Sequence, residues 1–287
     1  MRAKRRWTPL RRGVQAAFAA FYLLLPWLNR GGLRAVLGNL ASLKLGPVDL
    51  IEPAAGVSTL LASGQWSWAL AWGMALPLLL ALVLGPVFCS WVCPWGLFSE
   101  GLDSFKLRLL KLRRSWSAEG YRRLFWLRLA VLVAFLAGSW AFAVPLVALL
   151  APPRLLSSLP QELFYLRVPP TLTGALLLLW LAAELLLPRR WVCRALCPVG
   201  SFWNLLRTPW TITVRFQPAL CLDPQVAPCH LHCPWGIDPR RMGRFDGCTN
   251  CLRCVDGCPS GALLAGSGGA RLPVHPQTPG AGAAATS

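Results

Sequence analysis

Charge is what this sequence has least of. Only 14% of its 287 residues are Asp, Glu, Lys or Arg, whereas 55% are hydrophobic, and the mean hydropathy is +0.49. Ordinary soluble domains carry about 25% charged residues, so the composition turns away from that class and towards a membrane protein. Acidic side chains are scarcer still: 11 Asp and Glu face 29 Lys and Arg, for a formal net charge of +18. Such an excess suits a nucleic-acid partner when it gathers on a soluble face beside a stacking platform. Here the basic residues flank apolar runs, which excludes nucleic acid and fits a bilayer. Histidine is nearly missing as well. All three histidines lie beyond residue 229, so no His pair can ligate a haem within the apolar runs.

What is present begins with four apolar stretches, approximately Val14–Leu28, Trp66–Phe88, Leu124–Leu150 and Pro170–Leu187. A helix crossing the hydrocarbon core needs about 20 residues, so the second and third suffice alone and the others need their flanks. Buried helices of a soluble core would show recurring polar faces, which these runs lack. Lys and Arg crowd the N-terminus, the 106–123 connection and the stretch from Arg189 onward, but are sparse between the first two and the last two runs. The positive-inside rule therefore places both termini in the cytoplasm of a bacterial inner membrane. Pro26, Trp27, Asn29 and Arg30 stand where a signal peptide would have small cleavage residues, so the first run reads as a retained helix. Several of the fifteen tryptophans, among them Trp27, Trp66, Trp68, Trp91, Trp126 and Trp191, lie at the ends of these runs, where indoles anchor in the headgroup region.

Eleven cysteines are an unusual number, and an odd count in short spacings argues for metal or cluster ligation in a reducing compartment, not for disulfides. Two segments repeat. FCSWVCPWGLF at Phe88–Phe98 and VCRALCPVGSF at Val192–Phe202 share C-x3-C-P-x-G, and each follows an even-numbered run. On a helix, residues four apart share a face, so Cys89 with Cys93, and Cys193 with Cys197, would each present a thiolate pair. Such pairs could hold a soft metal or a cluster, or cycle between dithiol and disulfide; the sequence leaves the identity open.

The most specific signal is Cys248, Cys251, Cys254 and Cys258, the C-x2-C-x2-C-x3-C-P ligand run of bacterial [4Fe–4S] proteins. A zinc site would need four thiolates without favouring this spacing. Upstream, Cys221, Cys229 and Cys233 make an irregular partner set that ends in C-x3-C-P. In two-cluster ferredoxins the fourth cysteine of a run serves the other cluster. Cys233 should then join Cys248, Cys251 and Cys254 around a first cluster, leaving Cys221, Cys229 and Cys258 for an incomplete second, with Asp223, His230 or His232 as candidate completions. One or two clusters are expected, with a further metal at the C-x3-C-P cysteines left open. The expected organisation is a basic N-terminus (1–12), an all-α four-helix membrane part in two repeated pairs (13–212), a small α+β ferredoxin-like domain (213–265) and a disordered Gly/Ala/Pro/Ser tail (266–287).

In combination, GNLAS at Gly38–Ser42, LASG at Leu61–Gly64, FCSWVCP at Phe88–Pro94, the second C-x3-C-P-x-G and the cysteine-rich tail resemble the NapH/MauN-type membrane ferredoxins. NosR-like regulators and CcoG-like oxidase-assembly proteins share the paired motifs and tail. The resemblance implies an electron-transfer subunit of a quinol dehydrogenase, not a stand-alone enzyme, in contact with lipid and quinol. It further implies a periplasmic iron–sulfur partner, with a multihaem cytochrome as a second candidate. Where this family shows Asp-Pro in its first external loop, this chain has Glu52–Pro53. Two ionisable groups stand out as quinol or proton candidates: Glu52, in that loop with Asp49 nearby, and Glu184, whose position near the end of the fourth run suits snorkelling to the interface. Two other readings are a copper-handling reductase or maturation factor, and a membrane anchor with purely structural clusters.

Overall fold

The structure, a computed structural model, describes residues 6–30, 36–110, 118–167, 169, 171–187, 190–221, 229, 232–243 and 246–266, with backbone only at 30, 107–110 and 118–122. Helix α1 spans Trp7–Arg30. An antiparallel sheet follows, with β1 (Val36–Gly38), β2 (Ser42–Leu45) and β3 (Val48–Ile51) in sequential order. The expectation of a wholly helical membrane part is corrected here. The reason is turn chemistry that hydropathy does not display: Gly46, at φ 59°, turns the chain from β2 to β3. At Gly38, φ 122°, a Cβ would collide with the Ser42 carbonyl.

The first half continues with α2 (Pro53–Ser63), α3 (Trp68–Leu84), the short α4 (Phe88–Trp91) and α5 (Pro94–Leu110). The second half comprises α6 (Ala118–Phe142), α7 (Leu146–Leu150), α8 (Pro152–Pro160), a π-helical stretch Gln161–Leu166, α9 (Thr171–Leu186), a π-helical turn Val192–Leu196 and α10 (Pro198–Leu205). The expected third run, Leu124–Leu150, is thus broken where Ala143 turns left-handed (φ 52°) before Pro145. Both halves share one plan: a long helix, a short inner helix, an apolar helix, a cysteine motif and a closing helix. The inner helices reach across, α2 packing against α10 and α8 against α5. Helix α2 is sharply delimited. The Glu52 carboxylate caps the amides of Ala54 and Ala55, Pro53 opens the first turn, and Gly64 closes the helix in the left-handed conformation at φ 63°.

One described helix segment, Arg123–Phe142, is long and apolar enough to cross a membrane, and Trp68–Leu84 and Thr171–Leu186 are apolar but shorter. These helices are dressed outwards with large apolar groups: Trp72, Leu76 and Leu79 on α3, Trp126, Val133 and Trp140 on α6, and Leu172, Leu178 and Leu179 on α9 are all exposed. The polar groups turn inwards, as in the 3.0 Å hydrogen bond between the buried hydroxyls of Ser58 and Ser139.

The C-terminal part is small. Strand β4 (Thr213–Phe216) pairs antiparallel with β5 (Leu263–Gly266), and α11 (Arg253–Asp256) lies between them in sequence. Gly266, expected to begin the disordered tail, stands opposite Thr213 in this sheet; residues 267–287 lie outside the described residues. Polar contacts fasten this part to the helices. Glu100 of α5 is buried and takes Arg11 of α1 through both guanidinium nitrogens at 2.8 and 2.9 Å, Arg12 at 3.0 Å and Arg253 of α11 at 2.8 Å. Asp256 accepts from the amides of Arg6, Trp7 and Thr8 and from the Thr8 hydroxyl, and so caps the first turn of α1 from the far end of the sequence.

Burial alone would raise the Asp256 carboxyl, but the Thr8 hydroxyl and the three amides favour the ionised form and hold it below the usual carboxylate range. A lowered value means a contribution that is complete above the unfolded value of about 3.9 and is lost as pH falls through the folded one. Asp256→Ala should weaken the docking by about 1 kcal/mol, a typical cap loss. Limited proteolysis of detergent-solubilised protein at neutral pH should then release fragments from the region after Leu205 faster than in the wild type.

Candidate functional site

Cys233, Cys248, Cys251 and Cys254 line one small pocket, together with Val214, Trp235, Ile237 and Leu252. Tight turns aim the sulfurs inward: Asn250 and Leu252, flanking Cys251, adopt left-handed backbone at φ 49° and 56°. The Ile237 amide donates to Cys233 Sγ at 3.4 Å. Burial pushes the Cys233 thiol up to about 12, with Cys251 and Cys248 adding to the effect, so only a bound metal would hold it as thiolate. The donor set fits an iron–sulfur cluster. Four thiols surround the pocket, and the buried Trp235 indole N–H has no acceptor among the described residues, as expected if it faces cluster sulfide.

The second set is less complete. Cys229, Cys254 and Cys258 share one core with Val214, Ala262 and Leu263, and Cys221 packs against it. Burial would raise the Cys258 thiol, but the Ser260 hydroxyl and the amides of Ser260, Ala262 and Leu263 bring it below the ordinary value. Arg240, paired with Asp238 at 3.0 Å, lies within electrostatic reach of Cys229 and Cys221. Of the candidate completing ligands, Asp223 and His230 lie outside the described residues. His232 is exposed, and its ring occupies the space where a Cβ on Gly257 would stand.

The four C-x3-C-P cysteines come together from the two halves. Cys89 is within electrostatic reach of Cys93, Cys197 and Cys193, and a Cβ on Gly200 would lie 3.8 Å from Cys89 Sγ. Each motif turns more widely than an α-helix. The Cys93 amide bonds to the Phe88 carbonyl and the Cys197 amide to that of Val192, five residues back, while Cys197 is extended at φ −76°, ψ 113°. These wide turns deliver Cys93 and Cys197 to the starts of α5 and α10, where Pro94 and Pro198 occupy the first helical position. A thiolate there faces the free amides and positive end of a helix. The first motif glycine is needed for contact, since a Cβ on Gly96 would overlap the Cys89 carbonyl, whereas one on Gly200 would lie 3.3 Å from that of Cys193, tight but not overlapping. All eleven cysteines are free of disulfides.

The tail cage and this quartet are fastened loop to loop. Within the first motif, the Ser90 hydroxyl bonds that of Thr249, and the Trp91 indole N–H donates to the Asn250 carbonyl at 3.1 Å. Thr249 and Asn250 are the two residues between Cys248 and Cys251. Arg190, 2% exposed and left-handed at φ 52°, lies across the same junction. It donates to the Gly96 carbonyl at 3.1 Å, stacks over the Trp235 ring at 4.6 Å and lies within electrostatic reach of Cys93, Cys193 and Cys251.

Both carboxylate candidates flank the quartet. Glu52 Oε1 accepts from the Trp203 indole at 2.8 Å. Its carboxylate also caps α2, which leaves it committed to structure. The snorkelling expected of Glu184 is corrected: α9 turns it inward, 2% exposed, where Oε1 accepts from Ser99 at 2.6 Å and the Val192 amide, Arg190 and Lys106 also act on the carboxylate. Asp49 is exposed on β3. Sequence reasoning missed Ser90, Thr249, Arg190, Glu100, Asp256 and the Ser99 and Trp203 donors. One signal was available, because Ser99 and Trp203 each fall six residues after the second cysteine of a repeated motif.

A mostly helical chain that closes a thiol-lined cavity at a ferredoxin ligand run is an iron–sulfur protein of the ferredoxin type. Comparison with known proteins agrees. A family model described as "4Fe-4S binding domain" matches residues 66–116 and 169–209. The chain is 30% identical over 260 residues to the methylamine utilization ferredoxin-type protein MauN of Methylorubrum extorquens, covering 88% of this chain and 75% of that one. It is 29% identical over 271 residues to the ferredoxin-type protein NapH of Escherichia coli, covering 88% and 86%, and 27% identical over 234 residues to that organism's putative electron transport protein YccM, covering 76% and 63%. No solved structure matches. The chain belongs to the MauN/NapH family of ferredoxin-type proteins, which carry electrons on [4Fe–4S] clusters.

The two motif glycines make unequal demands, which gives a direct test. Gly96→Ala must displace backbone and should reduce the yield of monodisperse, extractable protein several-fold; Gly200→Ala meets only tight van der Waals contact and should stay near the wild type. Size-exclusion chromatography of the two variants in parallel checks the order.

Proposed function

We propose that this protein is a multi-pass subunit of the bacterial inner membrane that relays electrons from quinol towards a periplasmic respiratory or dehydrogenase system. In this reading α1, α3, α6 and α9 cross the bilayer with both termini in the cytoplasm. The exposed apolar faces of α3, α6 and α9 and the asymmetry of Lys and Arg support it. The printed names of the relatives, methylamine utilization and electron transport, point the same way. One observation carries the proposal: the cage of Cys233, Cys248, Cys251 and Cys254 is bonded directly to the first C-x3-C-P loop through Ser90–Thr249 and Trp91–Asn250. A tail serving only as a soluble electron store would need no such seam.

A [4Fe–4S] cluster bound by those thiolates supplies a one-electron carrier. The chain supplies its surroundings: Leu252, Val214 and Trp235 exclude water, and Arg11 and Arg190 place buried guanidinium charge within reach of Cys251. Glu184, buried beside the quartet, is the better placed of the two carboxylates to take a proton. A periplasmic iron–sulfur protein and a multihaem cytochrome remain the expected partners.

Low-temperature EPR of anaerobic membranes, before and after a reduced menaquinol analogue, tests the relay. Reduced-cluster signals should appear with the quinol and vanish in Cys251→Ser; signals raised by dithionite but not by any quinol would sink the proposal. The buried charge can be tested separately. Arg190→Gln removes a cation that favours the more negative reduced form, so the midpoint of the tail signal should fall. A tenfold change in the equilibrium corresponds to about 59 mV.

A further inference from the structure

We infer that Cys89, Cys93, Cys193 and Cys197 form one site, built jointly by both halves of the chain, that holds a single iron–sulfur cluster distinct from those of the tail. The inference extends the electron-transfer reading above, but its test counts iron, so the two can fail separately.

The starting point is a recurrence. Cys-Pro-Trp-Gly occurs twice, at Cys93–Gly96 and at Cys233–Gly236. Cys233 lines the tail pocket with Trp235, whose buried indole N–H finds no acceptor among the described residues. Trp95 repeats this. It is 1% exposed, shares a core with Cys93 and packs against Cys193, and its indole N–H is likewise buried without an acceptor. A buried donor left unmade is costly, so two indoles after two Cys-Pro steps, each without an acceptor among the described residues, point to a bound group as the acceptor.

The sulfurs are prepared in the same way. In all four Cys-Pro steps the amide two residues after the cysteine bonds back to it: Trp95 to Cys93, Val199 to Cys197, Trp235 to Cys233 and Ser260 to Cys258. Proline has no N–H of its own and bends the chain so that the following amides face the sulfur. A thiolate set in such donors is what cluster ligation requires, and the quartet cysteines share it with the tail cysteines. Neither half has more than two of the four thiols, so neither family-matched stretch can complete a four-thiolate site alone. Reciprocal packing brings them together, and Cys89 Sγ of the first motif lies beside Gly200 of the second.

Charge is in keeping with a cluster. Arg190 reaches Cys93 and Cys193, and Arg128 reaches Cys89; their exposures are 2% and 6%. Glu100 and Asp246 balance them in part, and a thiolate-bound cluster would add anionic charge beside the same guanidiniums. The four thiols are not gathered tightly enough for one ion, and neither is the tail set.

The test is iron and acid-labile sulfide per chain, by native mass spectrometry of the full-length protein purified anaerobically in detergent. Cys93→Ser and Cys197→Ser, one from each half, should each lose the same ~4 irons and ~4 sulfides relative to the wild type. The double variant should lose no more, and the tail EPR signal should persist. Cys251→Ser combined with Cys258→Ser, which breaks both tail sets, should retain about one cluster. Additive losses from the two halves would mean two sites and overturn the inference. So would wild-type iron in both single variants, copper or zinc in place of iron, or a mass deficit of two hydrogens per pair marking disulfides. Should the double serine variants fail to accumulate, the two single variants against the wild type decide alone.

Discussion

One buried carboxylate holds the architecture together. Glu100 meets Arg11, Arg12 and Arg253, and so ties the first helix, the helix behind the first cysteine motif and the C-terminal part to one point. Burial would raise its carboxyl, but Arg11, Arg190 and Arg12 hold it down to about 2, so the anion persists over all ordinary pH. Removing one partner of such a buried pair typically costs about 3–5 kcal/mol, because it strands the other charge. With Glu100 in place, the loop after Cys89 and the loop after Cys248 can meet through single hydroxyl and indole contacts.

Around that anchor the chain uses one local device repeatedly. A cysteine followed by proline ends an extended or π-helical turn and begins a helix or tight bend whose amides look back at the sulfur. The backbone supplies this stabilisation, so the side chains around each sulfur are free to differ: Trp95 in one motif, Val199 in the other. The carboxylates beside the quartet follow the same economy of placement. Each is held by a donor from the opposite half, Ser99 for Glu184 and Trp203 for Glu52.

The sequence was informative wherever chemistry is local. The C-x2-C-x2-C-x3-C-P spacing, the repeated C-x3-C-P-x-G and the apolar runs all depend on residues close along the chain, and Cys233, Cys248, Cys251 and Cys254 line one pocket. What could not be read was long-range or conformational. The β1–β3 sheet depends on two glycines with positive φ, the break at Ala143 on one left-handed residue, and the inward turn of Glu184 on a serine 85 positions away. Asp256 capping a helix that begins at Trp7 has no local signature at all. Arg190, one of several basic residues after the fourth run, reads as a topology marker until the fold buries it against Trp235.

The crossing of the inner helices has a consequence for descent. Because α2 leans on α10 and α8 on α5, a half-length ancestor with one cysteine motif would have completed this arrangement only as a symmetric dimer. Fusion into a single polypeptide releases equivalent positions from being identical. Ser99 and Trp203, matching places in the two motifs, show that release: one now offers a small hydroxyl and the other a bulky indole. Mutations in one half of this protein should therefore be compensated in the other half more readily than within their own.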